Sequence, residues 1–414
     1  MKSAALARAP RFNPFEPAFR ADPYPTYRAL REQDPVHKSM GMWVLTRYSD
    51  VLSILRDRRF LSSLIPQQIE RQAGRLAITD YESFLALAHQ SIVFTDNPYH
   101  ARLRRLVGQV FTPHHLKSYD RIIGGVVDEL IGELLQGDEF DGVQFAEQVP
   151  LRVMCGKLGI EPAMRSTIGR WTHEIRFLLE PGLLKRSDFE EVKNTLKEYF
   201  SFLEGLVADR RREPGDDLIS ELIAARGGNE SLTDEELVHA CMMVFVAGNE
   251  TTKGLIGNGL AALVDHEDQA ARLRGDATLM TNAVIEVMRW DTPLQQTKRL
   301  ASERVVIGDA VIEAGDQILL CLGAANRDPE MFPDPDRFDI ARANGGQLGF
   351  GFGMHACLGG RIAEREAVTA LGALLATITG WRAGAAPRAR QESELIVRGY
   401  ARLPIVITKR AASA

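Results

Sequence analysis

Apolar and polar positions along the chain fall mostly into stretches of helical period, cut at intervals by glycine and proline. The strongest stretch begins at Thr233-Asp234-Glu235-Glu236, a capping-box pattern that launches a helix with no stop signal before about Asp265. Its middle, ACMMVFVAG, is apolar on every side, which predicts a helix running through the centre of a large fold. Residues 118–226 also read as helical, broken at Gly137-Asp138, Pro162, Pro181-Gly182 and Pro214-Gly215. Asn97-Pro98 opens a helix to about Phe111, with Asn97 as its cap. A further helix is expected over about Leu279 to Arg289, and a last long one from Leu358.

Strand patterns are fewer. Trp43-Val44-Leu45-Thr46 reads as a strand, followed by a helix to Leu55 capped by Ser49 or Asp50. Val305-Val306-Ile307 and Gln317-Ile318-Leu319-Leu320 flank turn-rich residues and are expected to pair as a small antiparallel sheet. Ile396-Val397 and Pro404-Ile405-Val406-Ile407 return to strand near the end. Residues 1–20 read as an extended arm, and 61–95 as a long irregular connection with one short helix near 81–88. Long loops of that kind often serve as lids. The fold class is mainly α with minor β. Length alone suggests two or three domains, yet no break is polar or long enough for a convincing interdomain linker, and the resemblance named below implies one domain over 1–414.

Composition narrows the function classes. The 414 residues are 45% hydrophobic and 25% charged with a net charge of −5, ordinary for a globular protein, and no basic tract suggests a nucleic-acid partner. No run approaches the roughly 18 apolar residues of a membrane helix, and the start lacks the apolar core of a secretory signal. A cytoplasmic, soluble, monomeric protein is expected. Of four cysteines, Cys155, Cys241 and Cys321 sit in apolar surroundings and read as small buried hydrophobes.

Cys357 differs. It lies in Phe350-Gly351-Phe352-Gly353-Met354-His355-Ala356-Cys357-Leu358-Gly359, within a glycine-rich segment spanning 343–359. Glycines allow tight turns and close backbone approach. A cysteine at a helix start is favoured as a thiolate by amides and the helix dipole. Two readings follow from the loop alone, a buried cysteine in a glycine-rich turn or a soft metal ligand. Zinc is disfavoured, because its structural sites need about four close ligands.

This loop resembles the haem-binding segment of the cytochrome P-450 superfamily, Phe-x-x-Gly-x-x-x-Cys-x-Gly, with Phe350, Gly353, Cys357 and Gly359 at its four fixed positions. The resemblance covers about residues 95–405. It implies haem b, with Cys357 as the thiolate ligand of iron, in a fold that holds haem between the long central helix and the helix after the loop. Glu286-Val287-Met288-Arg289 matches the family's Glu-x-x-Arg, and Arg337 in the proline-rich meander RDPEMFPDPDRF is the expected third partner of a structural triad. Ala247-Gly248-Asn249-Glu250-Thr251-Thr252 matches the oxygen-binding groove. There the resemblance assigns room for dioxygen to Gly248, a hydrogen-bonding hydroxyl to Thr251 and proton relay to Glu250. His100, Arg104, Arg299 and His355 are the expected partners of the haem propionates.

The function so implied is hydroxylation or epoxidation of a hydrophobic small molecule by a haem-thiolate monooxygenase, using dioxygen. Terpenoids, steroids, fatty acids and polyketides are the candidate substrates. No flavin or iron–sulfur segment is visible, so a separate ferredoxin and its reductase are expected to supply electrons, docking near Arg105, Arg361 and Arg365. Val244, Phe245, Ala247, Leu294, Gln295, Gln296, Ile396 and Val397 are the expected pocket lining, with 61–95 as the lid. Rival readings are a peroxide-driven peroxygenase, against which Glu250-Thr251 argues, and a non-catalytic haem protein.

Overall fold

Thr233 and Glu236 form the expected reciprocal cap. Thr233 Oγ1 accepts the Glu236 amide at 3.2 Å and the Glu236 carboxylate accepts the Thr233 amide at 2.9 Å. The helix they start runs Asp234–Asp265, 32 residues or about 48 Å. In this computed structural model, which describes residues 10–409 apart from 344 and 393, that helix is the axis of the fold. Helices Gly142–Lys157, Arg165–Ile175, Arg186–Arg212, Met280–Trp290 and Gly360–Thr377 pack around it. Leu255, Ile256, Leu260 and Leu263 on it are at most 1% exposed, as an all-round apolar helix requires. Gly259 lets the neighbouring helix cross closely, since a Cβ there would lie 2.9 Å from Leu371 Cδ1. The breaks expected between 118 and 226 all separate helices.

The main sheet has five strands in the order Val36–Ser39, Met42–Leu45, Gln317–Leu320, Thr297–Ala301, Phe60–Leu61. Gln317–Leu320 does not pair with Val305–Ile307 as expected. It runs parallel to Met42–Leu45 and antiparallel to Thr297–Ala301. Val305–Ile307 closes instead on Ala310–Ile312, because Gly308, at φ 56°, permits a two-residue hairpin loop. Gln317–Leu320 ends in three buried residues, Ile318, Leu319 and Leu320, which suits a strand covered on both faces.

Other expectations are corrected. Residues 61–95 are largely regular, with helices Ile65–Leu76 and Glu82–Gln90. Of the expected arm 1–20, residues 1–9 lie outside the described residues and Pro17–Ala21 is a short helix. Neither Ser49 nor Asp50 caps the helix Tyr48–Arg56; its first amide donates to Asp328 Oδ2 at 2.8 Å. Asn97 does not cap Tyr99–Val107; its Nδ2 points to Met354 Sδ at 3.3 Å. Val397 makes a single bridge to Leu294 rather than a strand. The last helix starts at Gly360, two residues beyond Leu358. Among the described residues no helix is long and apolar enough to cross a membrane.

Candidate functional site

The loop before the last helix is built from tight turns. The Gly351 amide donates to Leu348 O and the Cys357 amide to Phe350 O, both at 2.8 Å. Gly353 has φ 73°, and a Cβ on it would lie 2.5 Å from Leu55 O, so only glycine fits. The Phe350 ring lies against Gly360. These contacts deliver Cys357 just before the helix, where the Gly359 and Gly360 amides reach its sulfur. Burial pushes the Cys357 thiol above its ordinary value, while those amides and the Arg104 charge draw it back. Cys155, Cys241 and Cys321 are fully buried, whereas Cys357 is exposed. Its side chain is thus the cysteine left accessible.

Four residues expected near haem carboxylates converge beside it. The His100 and His355 rings stack with centroids 4.1 Å apart, and Nε2 of each is buried without a hydrogen-bond partner. Burial lowers the His100 pKa to about 4, helped by His355 and Arg104. Arg299 is 7% exposed and its Nη1 reaches only Lys298 O at 2.7 Å and Thr297 Oγ1 at 3.2 Å. Burial holds its pKa near 10, opposed by Asp96. Arg104 is half-buried, with its pKa lowered by desolvation.

Asp96 was missed in the sequence. Its carboxylate accepts the Ser62 and Ser63 amides at 3.0 Å and lies 3.8 Å from His355 Nε2, beyond hydrogen-bond reach. Burial would raise its pKa, but the His355 and serine contacts outweigh it and lower the group. The signal was present, one residue before the Asn-Pro that opens the His100 helix. Two arginines and two orphaned imidazole nitrogens against one carboxylate leave a surplus of cationic and donor groups. Two propionates would satisfy them, so the residues present fit haem.

On the central helix, Val244, Ala247, Gly248 and Thr251 are partly or fully open while their neighbours are buried. Their i, i+3, i+4, i+7 spacing makes one open face of the helix. A Cβ on Gly248 would meet nothing within 4 Å. Thr251 Oγ1 donates to Ala247 O at 2.8 Å, keeping the hydroxyl at the face. Glu250 lies on the other side, 5% exposed, bonded to Lys253 and not to Thr251. Phe245 is a correction: it is fully buried against Tyr199, one helical step away from the open face. Asn249 is also buried.

Leu294 and Ile396 are partly open, but Val397 is 7% exposed. The expected pocket amides are tied down through their nitrogens, while Oε1 of each is buried without a hydrogen-bond partner. Gln295 Nε2 donates to Thr292 O and Tyr24 Oη, and Gln296 Nε2 to Leu395 O at 2.8 Å. Both side chains are buried. The Glu286–Arg289 pair forms, but the third side chain is Arg342, whose Nε reaches Glu286 Oε1 at 3.2 Å. Arg337 is turned outward, 65% exposed beside Asp339, and contributes only its carbonyl.

Comparison with known proteins agrees with this geometry. Residues 36–379 match the family described as Cytochrome P450. The chain is 34% identical over 407 residues to the vitamin D(3) 25-hydroxylase of Pseudonocardia autotrophica, covering 96% of this chain and 97% of that protein. It is 34% identical over 399 residues to the 6-deoxyerythronolide B hydroxylase of Saccharopolyspora erythraea, covering 94% and 96%. The crystal structure of CalO2 superposes with a TM-score of 0.89 at 31% identity, over 97% of this chain and 99% of that one.

Proposed function

The chain belongs to the cytochrome P450 family, a haem-thiolate oxidoreductase, and from that premise we propose that it hydroxylates or epoxidises a medium-sized hydrophobic molecule. Terpenoids, steroids, fatty acids and polyketides are the candidate classes, with electrons from a separate ferredoxin and reductase. The observation that carries the reading is the accessible Cys357 sulfur, the one open cysteine, beside the unsatisfied cationic cage and an open helix face.

Haem, the family's cofactor, supplies dioxygen activation with two electrons when bound. The chain's own residues do the rest. Cys357, beside the Gly359 and Gly360 amides, would ligate the haem iron as a thiolate. His100, Arg104, Arg299 and His355 would hold its propionates. Gly248 leaves room on the distal side, and Thr251 presents a hydroxyl that its bond to Ala247 O has oriented. Glu250, ionised and paired with Lys253 on the sealed flank of the helix, would relay protons toward that hydroxyl. Val244, Ala247, Leu294 and Ile396 exclude water and orient the apolar substrate. Residues 61–95, tied to the cage through Asp96, cover the pocket. Arg361, Arg105 and Arg365 are exposed for an acidic electron donor, the last two pairing with Glu230 and Asp120.

The test is electron-driven turnover with a ferredoxin pair on steroid, terpenoid, fatty-acid and macrolide panels, after screening for the optical shift of substrate binding. One atom of labelled dioxygen should enter the product. Thr251→Ala should keep the binding shift while diverting electrons to hydrogen peroxide. No oxygenated product from any shifting compound would refute the assignment.

A further inference from the structure

Lys298 is the second residue of the strand Thr297–Ala301, next to Arg299. Adjacent strand residues face opposite ways, and Arg299 shares its side with Thr297, to which its Nη1 donates at 3.2 Å. Lys298 therefore turns to the other side with Gln296, whose Nε2 donates to Leu395 O at 2.8 Å. Glu180 reaches the same turn from the opposite wall. Its Oε2 accepts the Leu395 amide at 3.0 Å, and the Ile396 amide also draws on the carboxylate. Pro181–Leu183, which follows it, packs on the helix Ile65–Leu76, where Gln72 Nε2 donates to Leu184 O at 2.6 Å. Ile396 and Leu294, the partly open residues assigned to substrate, frame this turn.

The two charges feel each other without touching. Burial lowers the Lys298 ammonium against the attraction of Glu180, and burial raises the Glu180 carboxyl against the amides and Lys298. Among the described residues no hydrogen bond or ion pair reaches Lys298 Nζ. The residue is half-buried, and its nitrogen is not sealed off as the enclosed unpaired atoms are. A carboxylate accepts up to about four hydrogen bonds, so Glu180 has capacity beyond its two amides. The other buried charges at the turn are paired, Arg176 with Glu394, to which Gln391 also donates.

We propose that Lys298 and Glu180 together form a recognition site for a hydroxyl group of the substrate. This rests on the monooxygenase reading and narrows its candidates to sterols, terpenoid alcohols and hydroxylated polyketides over fatty acids that lack a hydroxyl. A hydroxyl satisfies both residues, because its oxygen accepts from Nζ while its proton is donated to the carboxylate. A carboxylate would meet the charge of Glu180, and an ether or ester has no proton to donate. A methyl group placed there would leave a desolvated ammonium unpaired.

The haem-loaded protein tests this without its natural substrate. The ring of an N-alkylimidazole ligates haem iron with its own optical shift, so the tail explores the pocket from a fixed point. Three series of graded tail length, ending in methyl, hydroxyl or carboxylate, are titrated. In a purely apolar pocket the terminal hydroxyl weakens binding at every length. Here one length should reverse that order, the hydroxyl binding roughly tenfold or more tighter than both its methyl and carboxylate counterparts. Lys298→Met should lose the preference over methyl, and Glu180→Gln should let the carboxylate series gain. A hydroxyl weaker than methyl at every length overturns the proposal, and this wild-type result decides it even where a variant does not fold. A preference that survives Lys298→Met, or carboxylate binding unmoved by Glu180→Gln, overturns it as well. Absence of any iron-ligation shift in wild type would instead refute the haem-thiolate reading, and the substrate site with it.

Discussion

Arg289 grips Glu286 through two parallel bonds within one helical turn, Nε to Oε2 at 2.7 Å and Nη2 to Oε1 at 2.8 Å, with both side chains sealed from solvent. A buried ion pair is costly unless its remaining hydrogen-bonding groups are satisfied. Here they are. Arg289 also donates to the carbonyls of Asn326, Pro335 and Arg337, and Glu286 accepts the Asp339 amide and Arg342 Nε. The pair is the hub that folds the meander 326–342 beneath the Cys357 loop.

Arg342 and Arg337 should therefore behave oppositely. Arg342→Ala strips Glu286 of a buried donor and frees the carbonyls of Asp334 and Arg337, at a cost of about 2–3 kcal/mol. Arg337→Ala removes an exposed side chain and should stay within about 0.5 kcal/mol of wild type. Urea unfolding of the haem-loaded variants measures both. Equal losses would return Arg337 to the triad.

Cys357→Ser should fold, since the exposed sulfur is not part of the packed core. It should lose the carbon-monoxide-shifted absorption band of a thiolate-ligated haem. The reduced, carbon-monoxide-bound spectrum, read beside far-ultraviolet circular dichroism, checks this. A retained band would falsify the ligand assignment.

Glu366, on the helix after the loop, is 2% exposed, and burial pushes its carboxyl up to about 8. In the unfolded chain it ionises near the ordinary value of about 4.3. The fold therefore binds the extra proton between those values, and stability present at low pH is lost as pH rises toward 8. Glu366→Gln should be more stable than wild type at pH 8 by about 1–3 kcal/mol, with the gap shrinking toward pH 5. Denaturation curves at the two pH values decide it, and a gap that does not change with pH would rule it out.

Arg299→Leu should speed haem loss on the order of tenfold or more, because a buried propionate would lose its charged partner. Arg299→Lys should lie between, keeping the charge without the two-pronged fork. Haem transfer to apomyoglobin gives the rates. Unaltered rates in both would remove Arg299 from the cage.

The central helix and the Cys357 loop were legible because their signals are local. A capping box fixes one end of the helix, and four spaced residues identify the loop. Helix Glu82–Gln90 was legible as the short helix expected near 81–88, but Ile65–Leu76 was not, because its buried residues, such as Ile65, Ile69 and Ala73, make a thin stripe amid polar positions. The parallel pairing of Met42–Leu45 with Gln317–Leu320 joins distant segments, and nothing within either one names its partner. Side-chain direction was the other blind spot. Arg337 and Arg342 stand five residues apart in one irregular segment, and only the fold decides which turns inward. Val244 and Phe245 differ by one helical step, enough to leave one partly open and send the other into the core.

The stacked rings of His100 and His355 come from segments separated by most of the chain. If these rings seat the haem carboxylates as proposed, a fragment lacking either part would not assemble that seat, and a red colour in a preparation would report that the distant halves have met. Absorbance per milligram would then count correctly folded molecules, available before any substrate is known.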